Sequence, residues 1–419
     1  MLKELCADCV LYDPLRGIAA KIAENEDNAR PAAGELLDFA AEYGLSGNIW
    51  HAYVAYLVAT DENAFSLACE RRGMPTGSIC EIAVSDMDAV IALFDADISR
   101  FFGKFAETVK DYSCVYSGRR SRAEAGAKIS ELAAAMDAAR SAGARAVLDA
   151  VADWYRRHGV GEYALYRAFR LTSRSGSTEI EMQHITDTET KKLSDLVGYE
   201  SQKQQLLDNT LAFLEGRSAN NVLLYGDGGT GKSSSIKALM CEYADRGLRV
   251  IEVFKHQFTS ISALIAAIKD RNYRFIIYLD DLSFEEFEIE YKYFKAIIEG
   301  GIECRPSNVL IYATSNRRHL IKETFSDRND MRTDSDEVHR SDTLAEKLSL
   351  VARFGLTIFY PSPGQEEYLN IVRELAARDG IAMSDDELCR RALQWQMRGS
   401  GKSGRTARQF VDSLAGEEN

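Results

Sequence analysis

No run of eighteen or more apolar residues occurs in the 419-residue chain, so a helical membrane span is not expected. The opening MLKELCADCVLYDP has no charged leader, no long apolar stretch and no small-residue cleavage site. Export is therefore not expected, and the cytoplasm is the expected location. The eight cysteines fall in no repeating frame, which suits a reducing compartment. Cys6 and Cys9 form a C-x-x-C, but no second pair or nearby histidine completes a zinc set, and free thiols are the simpler reading. Positive charge is in deficit: 51 Lys and Arg against 64 Asp and Glu leave a net charge of −13. Such a chain has no overall basic footprint, and nucleic acid is not the expected partner. No histidine or cysteine constellation of a hydrolase is visible.

What is present falls into two textures. Up to about residue 180 the chain reads as helical. ELLDFAAEYG, NIWHAYVAYLVAT and DAVIALFDADISRFFGKFAETV carry apolar residues three and four apart, and an alanine-rich stretch runs from Arg122 to Arg157. Acidic residues outnumber basic ones here, as on a solvated acidic surface. The polar stretch Ser173–Lys192 reads as a linker. Beyond it come NVLLYG, RVIEVF, FIIYLDD, NVLIYATSN and LTIFYP, short apolar runs mostly separated by helical segments. That alternation predicts an α/β fold with five buried parallel strands. Helical patterns return after Pro361. The expected domains are 1–185, helical with its linker; 186–361, the α/β core; and 362–419, a helical module.

Two segments resemble phosphate-binding loops. In YGDGGTGKSSS, Gly226, Gly231, Lys232 and Ser233 satisfy G-x-x-x-x-G-K-[ST], with a strand before and a helix after. Gly226, Asp227, Gly228, Gly229, Thr230, Gly231, Lys232, Ser233 and Ser234 then make a candidate phosphate cradle. Backbone N–H groups face the phosphates at the positive end of a helix. Lys232 is then expected to reach the β- and γ-phosphates and Ser233 to hold Mg²⁺. The second segment, RGSGKSGRTARQF, has Gln396 where the first glycine belongs and a helical pattern before it. It reads as a turn between helices.

FIIYLDD delivers Asp280 and Asp281 to the C-terminal edge of the sheet, where open α/β sheets bind ligands. One acid can support Mg²⁺ and the next can orient a water. NVLIYATSN turns polar at Thr314, Ser315 and Asn316, and the Asn316 amide is placed to sense a γ-phosphate.

These motifs, in the order LSDLVGYESQK, GDGGTGKS, IIYLDD, IYATSN, VARFG and GRTARQF, resemble the AAA+ ATPase superfamily. Within it the phrases YLDDLSFEE, EKLSLVARFGL and SGRTARQF resemble a bacterial family of AAA+ ATP-binding proteins catalogued as a domain of unknown function. The likeness covers about residues 160–415. It implies an AAA+ core with a five-stranded parallel sheet, a C-terminal helical lid and an all-α N-terminal domain. It implies that Asp280 is the metal-supporting acid and that Asp281 stands where most members carry a glutamate base, one methylene longer. Glu285 and Glu286 are weaker candidates for that base. Asn316 matches the sensor-1 position. Arg353 resembles an arginine finger acting on a neighbouring subunit's ATP, with Arg317 and Arg318 as rivals. Arg408 resembles the sensor-2 arginine, with Arg405 as runner-up. Val197 and Gly198 resemble the segment that packs against adenine.

The implied function is ATP binding with hydrolysis that drives a conformational switch or the remodelling of an unknown partner. The N-terminal domain would recognise that partner, and a homo-oligomer would place the finger. The alternatives are a scaffold or regulator with little hydrolysis and a DNA-linked loader. FKHQFTSISALIAAIKDRNYRF holds no aromatic–apolar–glycine pore loop, which speaks against protein threading. The charged segment Lys322–Asp342 is expected to be a loop near the nucleotide edge.

Overall fold

The computed structural model describes residues 2–24, 30–97, 102–113, 120–173, 180–186, 188, 191–284, 289–299, 306–316, 351–398 and 401–417. The chain divides into two compact units, Met1–Ala168 with His184–Thr188, and Phe169–Gln183 with Glu189–Asn419.

The first unit is helical. Its longer helices are Arg30–Tyr43, Ile49–Ala59, Ala64–Arg72, Ser78–Phe94, Arg120–Ala139 and Ala144–His158. Ile49–Ala59 is apolar on nearly every side and is buried on nearly every side, which makes it the centre of this unit. Asn48 starts it by accepting from the N–H groups of Trp50 and His51, two donors a helix leaves open at its first turn. Trp50 Nε1 donates to Leu93 O at 2.9 Å, so the indole is buried without an orphaned polar atom. No helix among the described residues is long and apolar enough to cross a membrane.

The second unit is built on a sheet of seven strands: β1 (Ala168–Ser173), β2 (Ile180–His184), β3 (Val222–Gly226), β4 (Leu248–Glu252), β5 (Arg274–Leu279), β6 (Val309–Ser315) and β7 (Leu356–Tyr360). Their order is β2-β1-β4-β5-β6-β3-β7. The five expected strands, β3 to β7, pair in parallel. β1 and β2 correct the sequence reading in two ways. Five strands become seven, and the segment read as helix end and linker supplies the two extra ones. The physical reason lies in their alternation. Phe169 and Leu171 are buried while Arg170 is exposed, and β2 alternates between half-buried and exposed residues. A strand with one wet face carries many polar residues and reads as a linker by composition.

β6 is buried along its whole length and β5 from its second residue on, as strands covered on both faces are. From β3 the chain passes to β4, returns through β5 to β6 beside β3, and then places β7 on the other side of β3. The C-terminal end of β3 is therefore a topological switch point, where such sheets leave a crevice. The helices Gln365–Arg378, Asp385–Arg398 and Gly404–Glu417 follow β7 and close around their own core of Tyr368, Ile371, Val372, Ala392, Phe410 and Val411.

Candidate nucleotide site

The glycine loop leaves β3 at Gly226. Its φ is +136°, and a Cβ there would stand 2.0 Å from Tyr360 O on β7. Only glycine allows β3 and β7 to pair through this point while the Asp227 N–H donates to that same carbonyl at 3.2 Å. The helix Lys232–Tyr243 starts after Gly231 with no side-chain cap, so its first-turn N–H groups are left for an anion.

Lys232 is buried. Its ammonium donates to Gly226 O at 2.9 Å, to Asp227 O at 2.6 Å and to Asn316 Oδ1 at 3.0 Å. Burial pulls its pKa down, against the opposing pull of Asp227, Asp281 and Asp280. Ser233 Oγ donates to Asp280 Oδ1 at 2.7 Å, and Thr314 Oγ1 donates to the same oxygen at 2.6 Å. Burial alone would raise the Asp280 pKa, but the polar groups of Thr314, Tyr278 and Ser233 outweigh it and hold the carboxyl below its ordinary value. The Tyr278 hydroxyl lies against this cluster, is buried, and has no hydrogen-bond partner of ordinary geometry.

Asp281 sits in the left-handed region at φ +50°, uncommon for a non-glycine residue and tolerated best by Asp and Asn. Its carboxylate accepts from Asn316 Nδ2 at 2.8 Å. Asn316 thus bridges Lys232 and Asp281 through its two amide atoms. The structure brings the loop, Lys232, Ser233, Asp280, Asp281 and Asn316 into one cluster. Ser233 and Asp280 are hard oxygen donors of the kind Mg²⁺ takes, and the buried Tyr278 hydroxyl adds a third polar oxygen beside them. The residues present therefore fit a magnesium–phosphate group.

The second glycine loop is no second site. Its Ser403 side chain and Arg405 Cβ lie so near Gly229, φ +77°, that a Cβ there would approach them to 2.9 and 3.1 Å. The Arg405 N–H donates to Gly229 O at 3.2 Å. Asp227, at the other end of the first loop, accepts from the Ser362 N–H at 3.0 Å and Ser362 Oγ at 2.7 Å. The phosphate-type loop is thus held by the chain just after β7 and by the start of the last helix. Sequence reasoning missed Ser362, Ser403 and Tyr278. Their only local signal is a polar residue at an element end, which most proteins have in plenty.

Arg408 departs from expectation. Its guanidinium pairs with Asp379 at 2.8 Å and Asp412 at 2.6 Å, both in the helical module, and is not brought to the loop. Arg405 is nearer and contributes to the depressed Lys232 pKa. Val197 packs against the core of the three C-terminal helices, and Gly198 turns the chain at φ +80°. Thr230 Oγ1 donates to Asp227 O at 2.9 Å, and Ser234 is half-buried. Arg353 is exposed, next to buried Phe354. Glu285, Glu286, Arg317, Arg318 and the segment 322–342 lie outside the described residues.

The parallel strands β3 to β7, the switch point at β3 and the loop–helix junction there define an open α/β fold with a phosphate-loop type of ligand crevice. Residues 164–418 match the model of a family described as "Protein of unknown function (DUF815)", and the chain belongs to that family. No curated protein matches its sequence. Among solved structures, the RuvB Holliday junction branch migration motor of Thermotoga maritima is similar at 17% identity. That match covers 54% of this chain and 66% of that one, just under two thirds, with a TM-score of 0.36. A RuvB variant of the same organism matches at 14% identity over the same shares, with a TM-score of 0.37. The AAA domain of FIGL-1 in complex with ADP matches at 18% identity, covering 55% of this chain and 75% of that one, also with a TM-score of 0.37.

Proposed function

We propose that the second unit binds ATP at the loop 226–234 and hydrolyses it slowly to ADP and phosphate. The observation that carries this reading is the convergence of Lys232, the Ser233–Asp280 pair and Asn316 at the end of one glycine loop. The loop N–H groups bind the phosphates. Lys232 exchanges its loop carbonyls for phosphate oxygens. Ser233 donates its proton to Asp280 and keeps its lone pairs for a cation. Mg²⁺ held there supplies neutralisation of phosphate charge. Asp281 is the base that orients water, and Asn316 positions Asp281 while contacting Lys232. The shorter carboxylate and its Asn316 tether favour slow turnover.

Val197 and Gly198 flank the adenine. Arg405, rather than Arg408, is the arginine of the helical module that faces the nucleotide. Arg353 acts across a boundary between copies of the chain. The N-terminal helical unit, residues 1 to about 168, recognises a protein partner, and the sheet core with β1 and β2 and the helical lid 362–419 convert hydrolysis into a switch in the cytoplasm.

Steady-state phosphate release over a range of protein concentrations tests this. Specific activity should rise with concentration and vanish in Lys232→Ala. Mixing Lys232→Ala with Arg353→Ala should restore activity that neither has alone. Full activity in Lys232→Ala sinks the site, while equal specific activity at all concentrations, in a strict monomer, sinks the finger in trans.

A further inference from the structure

Thr314 carries more of this site than its neighbours in ATSN. It stands near the end of β6, buried, opposite Leu224 of β3. Its hydroxyl proton goes to Asp280 Oδ1 at 2.6 Å, and its oxygen accepts from the Asp281 N–H at 3.0 Å. Its carbonyl accepts from the next N–H, that of Leu282, at 2.7 Å. One residue therefore fixes the first acid by its carboxylate and the second by its backbone. It also holds two successive N–H groups of the turn that puts Asp281 at φ +50°. A hydroxyl has one proton to give, so the direction of this relay is set: Thr314 to Asp280, and Asp281 N–H to Thr314. The β-branch limits χ1 and keeps the hydroxyl aimed.

We propose that Thr314 is a positioning residue of the nucleotide site, holding Asp280 beside Ser233 for the divalent cation and setting the turn that aims Asp281. The inference rests on the reading of Ser233 and Asp280 as the cation's protein groups. Thr314 is not itself a nucleotide contact. It acts on the carboxylates, as groups behind metal-binding residues do, whose loss costs about 10–100-fold in metal affinity or activity.

The test is the divalent-cation dependence of nucleotide binding by the full chain, read with a fluorescent ATP analogue. Thr314→Val keeps the shape and removes the hydroxyl. Its affinity for the analogue in excess chelator should match wild type, and the Mg²⁺ concentration that half-saturates the tightened complex should rise about tenfold or more. Thr314→Ser restores the hydroxyl and should titrate like wild type. A wild-type Mg²⁺ midpoint in Thr314→Val overturns the inference, as does a Thr314→Ser protein that is folded yet titrates tenfold weaker. Should Thr314→Val not fold, Thr314→Ala takes its place with the same expected outcome. Lys232→Ala measured alongside separates the two levels. If it leaves the analogue's affinity unchanged, the nucleotide reading itself fails. If it abolishes binding while the Thr314 variants are silent, only the positioning role fails.

Discussion

Asp281 shows how one residue joins backbone strain to chemistry. Its left-handed φ costs little because aspartate tolerates that region, and the Thr314 hydroxyl and the Asn316 amide fix what remains free. A carboxylate held so firmly is suited to accept a proton from a water in one place. Asp281→Asn should keep nucleotide binding and lower turnover by about 10²–10⁴, the range of a general base. Single-turnover hydrolysis with Asp281→Asn and Glu285→Gln side by side decides the assignment. Wild-type rates in the first and loss in the second would move the base to Glu285. The local residue pattern showed both acids at the strand end. It did not show that Asn316, 35 positions away, would bridge Asp281 to Lys232.

Between elements, the contact of the last helix with the glycine loop is the main finding. The segment GSGKSGRTARQF looked like a poor copy of a phosphate loop and proves to be the surface on which Gly229 rests. Its two arginines part company. Arg405 leaves the loop exposed to solvent beside Gly229, while Arg408 ties the module to itself through Asp379 and Asp412. Arg405→Ala should therefore weaken ATP binding several-fold with little change in melting temperature. Arg408→Ala, which removes two half-exposed ion pairs of about 0–1 kcal/mol each, should lower the melting temperature by a few degrees and change affinity less. Nucleotide titration and thermal melts of both variants check this. Loss of binding at an unchanged melting temperature in Arg408→Ala would reverse the assignment.

At the scale of the whole molecule, β1 and β2 decide where the chain can be cut. They continue the sheet beyond β4, and Arg170 pairs with Glu252 at the end of β4. A fragment 164–419 keeps them and should fold and bind ATP. A fragment 186–419 holds every residue of the nucleotide cluster yet bares the edge of β4, an unpaired ladder open to association. It should aggregate or melt lower, as size-exclusion chromatography and thermal melts will show. A soluble 186–419 fragment as stable as 164–419 would mean that the two strands are ornaments of the sheet.

The sequence by itself determined the glycine loop, the two acids after β5 and the alternation of apolar strand and helix. Each is a local device: a φ that only glycine adopts readily, an uncapped helix start, an apolar run that must be buried on both faces. Periodicity also gave the helical first unit, though not its end, because β1 and β2 have one wet face and their polar residues concealed the alternation. Only the tertiary structure decided which hydroxyl steadies Asp280, which arginine lies at the loop and what the second glycine segment does. Those outcomes depend on the register of β6 beside β5 and on the packing of helices about 170 residues from the loop. A hydrogen bond needs its two atoms within about 3 Å, and spacing along a chain does not fix distances between elements that meet only when it folds.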